Sequence, residues 1–126
     1  MPPSAHRTRK ARGAPPVVDL ARARDAKRLR ELIARCSAVD EVNRRSLSRL
    51  FQTGLVYTRQ GARLGRDLLL AHQHLLRTSD LLARIAELPV APTDRESAAL
   101  YDEAQALLAR TAQLTARSGL VLARGN

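Results

Sequence analysis

Between Leu47 and Ala86, apolar and small residues recur at alternating steps of four and three, and no other feature restricts the fold so tightly. The row passes through Phe51, Gly54, Thr58, Gly61, Gly65, Leu68, His72, Leu75, Ser79 and Leu82. A second row, one residue on, carries Leu55, Ala62, Leu69, Leu76 and Ala83. Such spacing puts side chains on one face of a helix, and two adjacent rows make a stripe wide enough to face a core. Gln52, Arg59, Arg63, Arg66, Gln73, Arg77 and Arg84 occupy the opposite, solvent side. The pattern predicts a central helix over about 40–88, roughly 75 Å long if unbroken at 1.5 Å per residue.

Two further helices flank it. One is expected over about 19–38, with Asp19 as cap or first-turn acid and Leu29, Leu32, Ile33, Cys36 and Val39 at helical spacing. The other is expected over about 93–124, where Thr93-Asp94-Arg95-Glu96 matches a capping box and Leu100, Ala104, Leu107, Thr111, Leu114, Ser118 and Val121 repeat the four-three step. Pro89-Val90-Ala91-Pro92 stops the central helix and forms a stiff turn, so the last two helices should fold as an antiparallel hairpin. The fold class is therefore all-α, a long helical hairpin or three-helix bundle. Residues 1–16, basic and broken by Pro2, Pro3, Pro15 and Pro16, are expected to form a disordered arm ahead of a single helical domain over 17–126.

Gly54, Gly61 and Gly65 share the apolar row, each at a cost in helix propensity of roughly 1 kcal/mol against Ala. They mark either a close approach of another backbone or a bend, and their common face favours close approach. Two thin layers of helix cannot cover so broad a stripe, and an uncovered apolar face marks an interface. The partner-facing set is Phe51, Gly54, Leu55, Gly61, Gly65, Leu68, Leu69, Leu75, Leu76 and Leu82. A protein partner or a homo-oligomer is expected.

The formal charge is +10, from twenty Arg, two Lys and twelve acids. Residues 1–16 carry four positive charges and no acid, residues 17–49 nine against five, residues 50–90 five against three, and residues 91–126 four against four. The excess lies in the N-terminal half and should attract polyanions or acidic proteins. Candidate contacts are Arg7, Arg9, Lys10, Arg12, Arg22, Arg24, Lys27 and Arg28. Phe51, Tyr57 and Tyr101 are the only aromatic residues, so the stacking platforms that single-strand recognition uses are lacking. Any nucleic-acid binding should be non-specific, through the arm and first helix.

Catalytic groups do not converge in the sequence. His72 and His74 are two apart and diverge on a helix, and a hydrogen-bonded core role suits His72 on the buried row better than metal ligation. The glycines are too widely spaced for a phosphate loop. Cys36 is the only cysteine, which precludes an intrachain disulfide and fits a reducing, cytoplasmic setting; its apolar neighbours suggest a buried thiol. No apolar run is long enough to span a bilayer. No catalytic residue, metal, cofactor or small-molecule substrate is expected.

The run Leu32-Ile33-Ala34-Arg35-Cys36-Ser37-Ala38-Val39-Asp40-Glu41-Val42-Asn43-Arg44-Arg45-Ser46-Leu47-Ser48-Arg49-Leu50 resembles a stretch of the flagellar export chaperones for hook-associated proteins, which carry an Asn-x-x-Asn element amid leucines. Ser46 stands at the second Asn, the family's long N-terminal helical hairpin is missing, and the charge is unusually basic. The resemblance implies a helical chaperone that holds the amphipathic terminal segment of a secretion substrate, and it carries over Asn43 alone. The leading expectation is thus a non-enzymatic interaction module, an adaptor, assembly factor or export chaperone. The alternative is a small basic protein bound to DNA or RNA.

Overall fold

A computed structural model describes residues 16–88 and 94–124. The chain divides after Glu31 into two units, Met1–Glu31 and Leu32–Asn126. This boundary lies inside the first helix. Residues 1–15 of the arm, the Pro89–Pro92 turn, and Thr93 of the capping box lie outside the described residues, as does the Glu96 side chain, while Pro16 is the first residue of the first helix.

Three α-helices and no strand occur among the described residues: α1 (Pro16–Gln52), α2 (Arg59–Ala86) and α3 (Asp94–Arg124), with one 3-10 turn at Leu55–Tyr57. The all-α class is as expected, but the helix limits differ. Instead of ending near Ala38, α1 runs on to Gln52, and no continuous helix spans 40–88. The reason is local. Residues 37–40 contain no breaker, and Asp40 is engaged one turn on by the Arg44 Nε at 2.9 Å, so the helix continues. The stop comes at Thr53-Gly54. The Thr53 Oγ1 donates back to the Arg49 carbonyl at 2.8 Å, and Gly54 adopts φ 77, the left-handed conformation that glycine enters without a Cβ penalty. Thr58 then caps α2, its Oγ1 accepting from the Gly61 N–H at 2.9 Å.

Within Leu32–Asn126 the three helices share one core. Leu50, Leu64, Leu68 and Leu122 form its centre, with Leu47, Leu55, Val56 and Val121 packed around them. Each fully buried leucine contributes about 1.5–3 kcal/mol. α2 and α3 run antiparallel with their backbones close along their length, as Leu68 beside Leu122 and the Arg77–Glu103 ion pair (3.0 Å) require. Their interface admits Thr78 and Thr111 because each hydroxyl donates to a carbonyl four residues back, at 2.8 and 2.7 Å. α1 makes scarcely any backbone approach of that kind to either helix. Its side chains reach across instead, and one of them is Asn43, 0% exposed. The Asn43 Nδ2 donates to the Leu68 carbonyl at 3.0 Å, and its Oδ1 accepts from the Thr115 Oγ1 at 3.0 Å, so a single amide ties all three helices.

The glycines divide by role. Gly61 and Gly65 lie at close approaches within the chain itself: a Cβ on Gly61 would run into the Leu55 carbonyl, and one on Gly65 would come within 3.3 Å of the Leu50 Cδ2. Gly54, with nothing within 4 Å, is a bend.

Candidate functional site

Because α1 stands off from α2, an open groove of about 420 Å³ runs between them. One wall is Ile33, Ser37, Asp40 and Arg44 on α1; the other is His72, Leu76, Ser79, Ala83 and Ala86 on α2. Cys36, Leu75 and Leu82, all buried, form the floor. Ile33 is 46% exposed and Leu76 60%. The stripe extends beyond the groove by helical register. Leu69, also exposed, precedes Leu76 by seven residues, and Phe51 follows Ile33 by eighteen, five turns at 3.6 residues per turn. Asp40 and Arg44 pair with each other on the rim, leaving the apolar residues as the open part of the surface.

The expected partner-facing residues therefore separate. Leu69, Leu76 and Phe51 are exposed, whereas Leu68 is sealed in the core and Gly61 and Gly65 are buried against their own chain. Leu55 is half-buried in the turn, and Gly54 is the helix terminus. A first helix that ends at 38 does not show the α1 wall, because Asp40 and Arg44 then fall in a different helix from Ile33 and Ser37. The signal that could have found it is the eighteen-residue interval from Ile33 to Phe51, visible only if one helix is allowed to join them.

Of the polyanion candidates, Arg7, Arg9, Lys10 and Arg12 lie outside the described residues, as does the Arg22 side chain. Arg24 and Lys27 are exposed and Arg28 is half-buried. Two of the three aromatic residues prove to be surface groups, Tyr57 at 88% and Phe51 at 58% exposure. The expected roles of the histidines also shift: His72 lines the groove, while His74 is the one whose Nδ1 is buried without a hydrogen-bond partner among the described residues. No group of His, Cys, Asp and Glu among the described residues could hold a metal ion, and no described helix is long and apolar enough to cross a membrane.

Cys36 sits in the groove floor as a buried free thiol. Burial, and then the Asp40 carboxylate, push its pKa above the ordinary thiol value. The thiolate is the nucleophile, so alkylation of the native protein by iodoacetamide should be at least about tenfold slower than after unfolding in urea. The native rate should climb only at a more alkaline pH than that of a free thiol. Equal rates in the two states would show that the floor is open.

Comparison of the chain with protein-family models, curated proteins and solved structures found no match.

Proposed function

We propose that this protein is a non-enzymatic helical interaction module that seats an amphipathic helix of a partner protein in the α1–α2 groove. The carrying observation is the groove itself, walled by the exposed Ile33 and Leu76 and floored by buried leucines. From Ile33 to Phe51 the stripe is about 27 Å long at 1.5 Å per residue, the length of a five-turn helix. Helix-in-groove recognition uses such anchors at i, i+3, i+4 and i+7 spacing. A soluble adaptor or assembly factor in the cytoplasm has this form, and an export chaperone is its narrower version, in which the occupant is a terminal segment of a secretion substrate.

A photo-crosslinking residue introduced in place of Ser79 tests the reading. In cell lysate it should form one dominant protein adduct that persists at moderate salt. Leu76→Asp should weaken that association roughly tenfold or more, because a carboxylate would be desolvated in the groove. Leu76 is exposed, so this variant keeps its fold, whereas aspartate at Leu68 would unfold the core. An adduct indifferent to Leu76→Asp would overturn the reading. An adduct between two copies of this chain would replace the foreign helix by a homodimer.

A further inference from the structure

The fold sorts charge in a way that the order of residues conceals. Residues 42–66 contain no acid and six arginines: Arg44, Arg45, Arg49, Arg59, Arg63 and Arg66. The end of α3, residues 115–124, also lacks acids and adds Arg117 and Arg124. Leu122 packs on Leu50 and Leu64, and Gly119 and Ala123 share a second cleft, of about 290 Å³, with Arg45 and Arg49. The two acid-free segments thus meet at one end of the Leu32–Asn126 unit, all eight arginines exposed. The remainder of that unit carries nine acids and five arginines. Arg44 and Arg45 are paired with Asp40 and Glu41, but among the described residues Arg59, Arg63 and Arg66 have no ion-pair partner. These three fall at i, i+4 and i+7, on one face of the first turns of α2.

Tyr57 stands immediately before that face. The 3-10 turn holds it outward. Its N–H donates to the Gly54 carbonyl at 3.1 Å, and the next residue, Thr58, donates to the Leu55 carbonyl through both its N–H (3.0 Å) and its hydroxyl (2.7 Å). Leu55 and Val56 anchor the turn in the core, which leaves the Tyr57 ring in solvent on an ordered backbone. A ring so exposed gains nothing from burial. Phe51, exposed in the last turn of α1, is a second ring at the same junction.

We infer that the α1–α2 junction is a binding surface for single-stranded nucleic acid, with Tyr57 as a stacking platform and Arg59, Arg63 and Arg66 as phosphate contacts. A basic surface alone would serve any polyanion. An exposed aromatic ring on a hydrogen-bonded turn, two residues ahead of arginines that have no ion-pair partner among the described residues, adds the feature that distinguishes bases from carboxylates. Its named contacts, Tyr57, Arg59, Arg63 and Arg66, lie outside the groove lining, and the inference does not depend on the proposal made for that groove.

The test uses the 126-residue chain and a fluorescein-labelled oligouridylate of about a dozen nucleotides, within the span such surfaces cover. Affinity should fall steeply with salt, since each neutralised phosphate releases counterions. Tyr57→Ala should weaken binding about tenfold with the salt slope unchanged, the loss of one stacked base. Arg59→Ala with Arg63→Ala should lower the slope by about one to two. All three positions are exposed, so circular dichroism should be unaltered. Binding that survives both sets of substitutions would assign the interaction to residues 1–16 and overturn the inference. It would equally fall if duplex RNA or heparin bound as well and as independently of Tyr57, or if polyglutamate bound tighter than the oligouridylate, which would identify an acidic protein as the partner.

Discussion

Asn43→Ala is expected to cost the protein about 3 kcal/mol of stability, measured by urea denaturation. The amide is wholly buried and satisfied at both ends, by the Leu68 carbonyl and the Thr115 hydroxyl. Truncation leaves the Thr115 hydroxyl without its acceptor and opens a cavity between three helices; a buried group left unpaired costs about 1–3 kcal/mol before the cavity is counted. Thr115→Val should cost less, because it leaves the bond to Leu68 in place. The double variant should fall short of the sum, since both changes break the same bond. Asn43→Asp is the sharper probe. An ionised carboxylate cannot donate to the Leu68 carbonyl, and burial raises its pKa above the roughly 3.9 of an unfolded aspartate. Its penalty therefore grows as pH rises from that value and is smallest in acid, where the protonated carboxyl can still donate. This variant should be relatively more stable near pH 4 than near pH 7. A loss below about 1 kcal/mol for Asn43→Ala would mean that the amide is not the strut described.

Gly61→Ala should destabilise by about 3 kcal/mol, although glycine to alanine inside a helix ordinarily gains up to about 1 kcal/mol. The new Cβ would occupy the space of the Leu55 carbonyl, a backbone atom that cannot rotate away, and would also press on the Thr58 Oγ1 that caps α2. Turn and cap would have to shift together. Gly54→Ala meets no atom and should cost only the strain of the left-handed backbone, about 1 kcal/mol. Thermal or urea unfolding of the two variants would rank them. Equal losses would show that backbone strain alone, and not collision, governs the junction.

The difference between those glycines also explains where the sequence was legible. The four-three rows identified the helical segments, because that periodicity depends only on which side of a helix is dry, and the Pro89–Pro92 interruption pointed to the antiparallel pairing of the last two. They could not place the break at residues 53–58. The row crosses it without interruption, since the chain reverses there and both helices turn their apolar faces to a common core. Gly54, Gly61 and Gly65 look alike in one dimension; what separates them is a backbone angle at one and a neighbour at the others. Charge was misleading for a related reason. The last third of the chain balances as a string, yet its acids lie toward the start of α3 and Arg117 and Arg124 toward the end, which the hairpin returns to the arginines of the α1–α2 junction. The groove needed the true length of α1, and Tyr57 needed the turn that holds it outward.

The contacts of Asn43 also bear on the order in which the molecule assembles. Asn43 and Leu68, which join α1 to α2, are 25 residues apart, and Arg77 and Glu103, which join α2 to α3, are 26 apart, whereas Asn43 and Thr115 are 72 apart. Short loops close sooner because less chain entropy is lost before contacts form. The α1–α2 and α2–α3 pairings are thus equally local, and the bond between α1 and α3 is expected to close last, once each helix has docked on α2.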